Sequence, residues 1–223
     1  MASESVRVFV DANVLARPVT RTLLIAGAPE SSFIVVWSQH VEQEADRHLA
    51  PRMTPVSDLR TRFGWGLGPT GQIRGRFDHT DPKDRQVLAD AEAVRAQFIV
   101  ADDVGDFANC DLERLSMSAV APDLFMSALL TWAGYSEALD VIVVGRKVPP
   151  KTRRDVHAAI GRQHPQLFAV HADRVPGIAP LPSPNSHPKI EFRGVRCVKC
   201  QKAFPGSMAF TNLGLCRSCS TGD

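Results

Sequence analysis

Three short apolar runs, with helical patterns between them, constrain what this chain can fold into. Val6-Arg7-Val8-Phe9-Val10 alternates and is β-branched or aromatic at four of its five positions, which predicts a strand. Phe33-Ile34-Val35-Val36-Trp37 and Phe98-Ile99-Val100-Ala101 are continuous apolar runs, as expected of strands buried on both faces. Helical periodicity fills residues 14–27, a stretch from Gln39 to Leu49 capped by Ser38, and a stretch reaching Ala96. Strands alternating with helices predict an α/β fold whose parallel sheet is joined by right-handed crossovers. The carboxyl ends of its strands then share one edge, where open α/β sheets place ligands.

Acids recur at that edge. Asp11 follows the first strand directly, either as the cap of the next helix or as a ligand. On the helix from Gln39, Val41, Ala45 and Leu49 form an inward stripe and Glu44 lies at its border, while Glu42, Asp46 and Arg47 are expected to face water. Asp81-Pro82-Lys83-Asp84 predicts a helix start with Asp81 as N-cap, Pro82 at N1 and Asp84 at N3. Asp84 would then share the apolar face of Val87, Leu88 and Ala91. The run Asp102-Asp103-Val104-Gly105-Asp106-Phe107 follows the strand at 98–101. Asp11, Glu44, Asp84, Asp103 and Asp106 are the candidate ligands. Gathered carboxylates repel and raise one another's pKa unless a cation neutralises them. Oxygen-only ligands suit Mg²⁺ or Mn²⁺, and such ions activate water for attack on a phosphodiester. No Ser-elbow or Cys/His dyad points to another hydrolytic chemistry.

Elsewhere the sequence offers two weaker contacts for nucleic acid. The segment Phe63–Phe77 carries five glycines with Trp65, Arg74 and Arg76, and Arg62 precedes it. It reads either as a loop that touches RNA phosphates and stacks a base, or as a surface loop. Between Arg146 and Arg162 the bases, including Lys151, Arg153 and Arg154, meet only Asp155. That tract either follows a phosphate backbone or is a solvated helical face. Helices are expected from Pro122 or Asp123 through Trp132, from Ser136 through Val144, and after Thr152, which forms a capping-box-like pair with Asp155.

A proline-rich linker spans 175–190. Beyond it, Cys197-x-x-Cys200 and Cys216-x-x-Cys219 stand fifteen residues apart. Four thiolates in two such turns suit a tetrahedral, structural zinc that folds a small ribbon. The fifth cysteine, Cys110, is expected to be a small core residue. Within the ribbon, Lys199, Lys202, Phe204, Phe210 and Arg217 are candidates for gripping RNA or protein.

Length and composition set the outer bounds. The 223 residues allow one sizeable core and a small appendage. A net charge of +2 means that nucleic-acid binding cannot be argued from total charge. No run is long enough to span a membrane, and the N-terminus lacks a signal-peptide layout, so a cytoplasmic location is expected.

The motifs together resemble a family. Val8-Phe9-Val10-Asp11-Ala12-Asn13-Val14-Leu15 resembles the opening of PIN-domain nucleases. Glu44 matches the family's second acid, and Asp81-Pro82-Lys83-Asp84-Arg85-Gln86-Val87-Leu88-Ala89 its third block. Ile99-Val100-Ala101-Asp102-Asp103-Val104-Gly105-Asp106-Phe107 resembles its last acidic block, where the family usually has Thr and Asn in place of Ala101 and Asp103. Either Asp103 or Asp106 is then the main late ligand. The resemblance covers residues 6–145 and implies a three-layer α/β/α fold and metal-dependent cleavage of single-stranded RNA. It also implies kinship with VapC-type toxins, which are commonly dimeric and restrained by a small antitoxin. The stretch after the core is similar to the helical extension of some VapC-like proteins; the four cysteines are not a usual toxin part.

The expected organisation is a nuclease domain at 1–145, a basic helical extension at 146–174, the linker, and a zinc ribbon at 191–223. The expected function is an Mg²⁺- or Mn²⁺-dependent endoribonuclease, the toxin of a type II toxin-antitoxin pair. The rivals are a non-catalytic RNA- or protein-binding scaffold on the same core, and a DNA-cleaving enzyme with the same metal chemistry.

Overall fold

A computed structural model describes residues 5–63, 65–73, 75–145, 149–175, 190–203 and 214–221. Its centre is a five-stranded sheet in the order β2-β1-β3-β4-β5. These strands are Val6–Val10 (β1), Phe33–Val36 (β2), Phe98–Val100 (β3), Ser118–Val120 (β4) and Phe192–Gly194 (β5). The first four run parallel, as the alternating pattern predicts. Every residue of β3 and β4 is buried, so both faces of the sheet centre are covered. The fifth strand is antiparallel, with Ala119 facing Arg193 and Val120 facing Phe192. It comes from the segment expected to begin a separate ribbon, and it joins the main sheet instead.

The helices are α1 (Ala12–Leu15), α2 (Pro18–Gly27), α3 (Gln39–His48), α4 (Val56–Phe63), α5 (Arg85–Ala93) and α6 (Asn109–Arg114). They continue with α7 (Pro122–Leu129), α8 (Trp132–Gly145), α9 (Arg153–Gln163), α10 (Pro165–Val170) and α11 (Arg217–Thr221). Ser38 caps α3 by accepting from the Val41 N–H at 3.3 Å, as expected. Thr152 and Asp155 form the full capping box of α9. The helix expected over 122–132 ends at Leu129, and α8 starts earlier than Ser136, at Trp132. None of the helices described is long and apolar enough to cross a membrane.

Helix α5 departs from expectation in a way that matters for the site. It begins at Arg85, not Pro82. Residues 81–84 form a turn in which the Asp81 carboxylate accepts from the Lys83 N–H (3.0 Å) and the Asp81 carbonyl from the Asp84 N–H (2.9 Å). Asp81 thus spends its side chain on the turn, and Asp84 becomes the N-cap. The loop before it is tied down by buried acids. The Asp111 carboxylate accepts from both the backbone N–H and the hydroxyl of Thr80, each at 3.0 Å. Asp90 accepts from the Gly71 N–H at 2.7 Å. A Cβ on Gly71 would lie 1.9 Å from the Ala89 carbonyl oxygen, so that glycine of the rich segment is required for close packing on α5.

Helices α8 to α10 enclose three buried histidines. The Tyr135 hydroxyl bonds His157 Nδ1 at 2.6 Å, the Thr20 hydroxyl bonds His164 Nε2 at 2.9 Å, and His171 stacks on Tyr135 with ring centroids 4.5 Å apart. Burial holds His157 and His164 down at about 4 and lowers His171 as well. The folded chain therefore binds fewer protons here than the unfolded chain. This contribution to stability is complete above the ordinary histidine value of 6.5 and is lost as pH falls toward 4. The melting temperature is expected to decline across that window, and His164→Gln to decline less than the parent. Equal slopes in the two proteins would contradict this account.

Candidate functional site

Parallel pairing of β1 with β3 brings their carboxyl ends together. Val10 is in register with Val100, and the Asp11 N–H donates to the Val100 carbonyl at 3.0 Å. Asp11 is 7% exposed and occupies the N-cap of α1, yet its carboxylate makes no capping hydrogen bond. Asp84 likewise occupies the N-cap of α5 without capping it. A capping acid contributes about 1 kcal/mol to a helix start. Neither acid closes a full capping hydrogen bond, although the Ala12 and Asn13 N–H groups lie near enough to Asp11 to favour its charged form.

Both acids feel the charges of other acids. Burial pushes Asp11 up to about 6, with the nearby N–H groups of Ala12 and Asn13 pulling it back and the Glu44 and Asp102 charges raising it further. Asp84 is pushed up to about 7, first by burial and then by the charges of Asp11, Asp106, Asp81 and Glu44. Of the predicted ligands, Asp11, Glu44 and Asp106 thus lie near enough to Asp84 for their charges to raise it, and Asp106 stands on the 3₁₀ turn Val104–Asp106. Asp103 starts that turn and is exposed. The carboxylates meet at longer range than the cysteines. Among the described residues, only the four cysteines form a group of three or more ligand atoms all within 4.8 Å of one another.

Two residues at this edge were not singled out from the sequence. Asp102 is buried, and its Oδ1 accepts from Arg17 Nη1 at 3.0 Å. The Arg17 side chain remains 55% exposed, so a cation stands at the rim of the acids. The signal for Asp102 was present in the register, since Asp102 follows Val100 by two residues where Asp11 follows Val10 by one. Arg17 carried no comparable signal, because only the tertiary fold brings α1 beside the third strand. His40 also approaches Glu44, with Nε2 3.8 Å from Oε2.

The other acids of α3 correct the sequence reading. Glu42 does not face water. It is 5% exposed, with its Oε2 accepting from Trp37 Nε1 at 3.0 Å and from Arg60 Nε at 2.7 Å. Asp46 is half-buried and accepts from the Val56 N–H at 2.6 Å, so it anchors the start of α4. Helix α4 packs across this side of α3 and covers what an isolated amphipathic helix would expose. Glu42→Ala would strip the buried Trp37 N–H and the partly exposed Arg60 guanidinium of their acceptor, costing about 1–3 kcal/mol. Stability is expected to fall by that amount in denaturant titrations while the variant remains folded at 25 °C. Unchanged stability would remove Glu42 from the packing of α3 on α4.

The candidate RNA contacts separate in the same way. Trp65 packs edge to face on Trp37 with centroids 6.0 Å apart, so its ring is part of the core packing. Arg76 pairs with Glu92 and lies 4.8 Å over the Phe77 ring. Arg153 pairs with Asp140 at 2.8 Å. Arg62, Lys151 and Arg154 are exposed. Arg74, Arg146, Lys147, Phe204, Phe210 and residues 176–189 of the linker lie outside the described residues.

At the other end of the chain, Cys197, Cys200, Cys216 and Cys219 converge without forming a disulfide. The Cys200 and Cys216 sulfurs are 3.6 Å apart, and Cys197 Sγ accepts from the Cys216 and Cys200 N–H groups at 3.3 and 3.5 Å. The Cys219 N–H lowers Cys216, while a hydrogen bond with the Cys216 sulfur raises Cys219. Thiols release their protons when they ligate a cation. The cluster fits a metal ion such as zinc. Cys110 differs from expectation: it is exposed on α6, not a core residue.

No family model, curated protein or solved structure matches the chain.

Proposed function

We propose that this chain is an Mg²⁺- or Mn²⁺-dependent endoribonuclease with a PIN-like core in three α/β/α layers. The observation that carries the reading is the pair Asp11 and Asp84, two buried or half-buried acids whose pKa values are raised first by burial and then by neighbouring acids, the Asp11 charge among those acting on Asp84. Such an arrangement is costly without a cation and is characteristic of sites that bind one. Asp11, Glu44, Asp84 and Asp106 would hold the ion or ions, with Asp103 at their border. When bound, the ion supplies an activated water and a counter-charge for the leaving oxygen.

The chain's own groups do the rest. Burial and neighbouring charges raise Asp11 to about 6 and Asp84 to about 7, so a cation bound there would displace a proton chiefly from Asp84 near neutral pH. Arg17, fixed by Asp102, offers a guanidinium to a phosphate of the strand being cut. The exposed bases Arg62, Lys151 and Arg154 would follow the same backbone. The resemblance of the four acidic blocks to PIN nucleases supports RNA as substrate. It also supports a role as the toxin of a type II pair, held by a small antitoxin and acting as a homodimer in the cytoplasm.

The test is incubation of the zinc-loaded protein with single-stranded RNA and with DNA of the same sequence, adding Mg²⁺, Mn²⁺ or neither. Cleavage of RNA only when the added ion is present is the expected result. Cutting of DNA in preference would replace the substrate, and tight RNA binding without cleavage in either ion would favour a scaffold.

A further inference from the structure

The cysteine cluster is built into the sheet that carries the acids. Strand β5 ends three residues before Cys197 and pairs along β4. Gly194, at φ +119°, lets the chain cross β4 at a distance no side chain permits: a Cβ there would lie 2.5 Å from the Met117 carbonyl oxygen. The Arg196 N–H then donates to the Ser118 hydroxyl at 2.8 Å, and Cys197 is fully buried within the main core. Both halves of the cluster grip the strand. The Val198 N–H donates to the Gly214 carbonyl at 2.8 Å, and Gly214 lies directly against the Phe192 ring and Val198.

From that strand one side chain reaches the acidic loop. Arg193 Nη1 donates to the Phe107 carbonyl at 3.0 Å. Phe107 closes the 3₁₀ turn that carries Asp106. The Asp106 carbonyl in turn accepts from the Asp81 N–H at 3.1 Å, and Asp81 forms the turn that presents Asp84. Hydrogen bonds thus run from the cysteine strand to the backbone of the two turns that carry Asp106 and Asp84.

We propose that Arg193 is a positioning residue through which the metal held by the four cysteines orders Asp106 and Asp84 for their cation. With the cysteine metal in place, β5 is clamped, Arg193 is held on the Phe107 carbonyl, and the late acids stand at their mutual distance. Without it the clamp on Phe192 opens and the turn loses its restraint. This inference rests on the carboxylates being a cation site.

The experiment measures Mn²⁺ binding directly, by electron paramagnetic resonance of free ion, in full-length parent, Arg193→Ala and Arg193→Lys, each with zinc and after zinc removal. Mn²⁺ prefers oxygen ligands and leaves the thiolates alone. Groups that hold a ligand in place change metal affinity by about 10- to 100-fold. Zinc-loaded Arg193→Ala is expected to bind Mn²⁺ at least about 10-fold more weakly than the parent, with Arg193→Lys near the parent. Zinc removal is expected to weaken the parent similarly but to add little to Arg193→Ala, as two steps of one coupling should. Unchanged affinity in Arg193→Ala, or fully additive losses, would overturn the proposal. If zinc removal unfolds the chain, the two zinc-loaded variants decide it. A parent that binds no Mn²⁺ would overturn the cation site itself, and this inference with it.

Discussion

Asp84→Asn is expected to abolish RNA cleavage and, with no Mg²⁺ or Mn²⁺ added, to raise the melting temperature at pH 8. Both effects have one cause. Asp84 and Asp11 stand at about 7 and about 6, against an ordinary value of 3.8. The folded chain holds these protons more tightly than the unfolded chain, so the groups favour folding at low pH. That advantage is lost as pH rises through 6 and 7, and above this range two charges face each other without compensation. Asparagine removes one of them. Asp84 is half-exposed, so solvent screening limits the gain to about 1 kcal/mol. Loss of a cation ligand removes several kcal/mol of transition-state stabilisation, on the order of 10³-fold in rate or more. Added Mn²⁺ should stabilise the parent at pH 8 and have little effect on the variant. Melts at pH 5.5 and 8, beside cleavage assays, check this. A variant that melts lower than the parent at pH 8, or cuts RNA at the parent's rate, would remove Asp84 from the site.

Cys197→Ser is expected to destabilise the whole chain, not only its C-terminal end. A detached ribbon would melt by itself and leave the α/β core intact. Here Cys197 is buried in the main core, and the adjoining strand supplies one edge of the main sheet. Structural zinc binding contributes about 10–16 kcal/mol in small modules. If only about 4 kcal/mol of this supports the core, its loss lowers the melting temperature of a chain this size by about 10 °C. Metal analysis should find about one zinc per chain in the parent. Calorimetry should show a single shifted transition in the variant. An unshifted core transition beside a missing C-terminal signal would mean that the module is independent of the sheet.

The parallel strands, and the places of the acids beside strand ends, were legible in the sequence because both follow from local rules. Buried parallel strands are short apolar runs, and Asp11 and Asp106 are legible from their distance to strand ends. Three features were not legible from these rules. The start of α5 moved from Pro82 to Arg85 because Asp81 bonds within its own turn, leaving Asp84 to take the N-cap. Glu42 reads as a surface acid on an isolated helix and becomes buried only when α4 delivers Arg60. The antiparallel β5 is three residues long and lies 72 positions beyond β4 in the chain, too short for periodicity and too distant for any local signal. Its pairing converts an apparent appendage into part of the main fold. Cys110 shows the same limit: a cysteine is often buried, but its place on the outer side of α6 is decided by how that short helix docks.

The most direct test of the central claim is to locate the ion. Crystals of the zinc-loaded protein soaked in saturating Mn²⁺ and measured near the manganese absorption edge would show where it binds. The expected result is an anomalous peak ligated by Asp11 and Asp84, with Glu44 and Asp106 in or beside its coordination shell, and none there in Asp11→Asn crystals. Full occupancy at the four cysteines together with an empty carboxylate edge would contradict the account, and the recurring acids would then need an explanation other than metal-dependent catalysis.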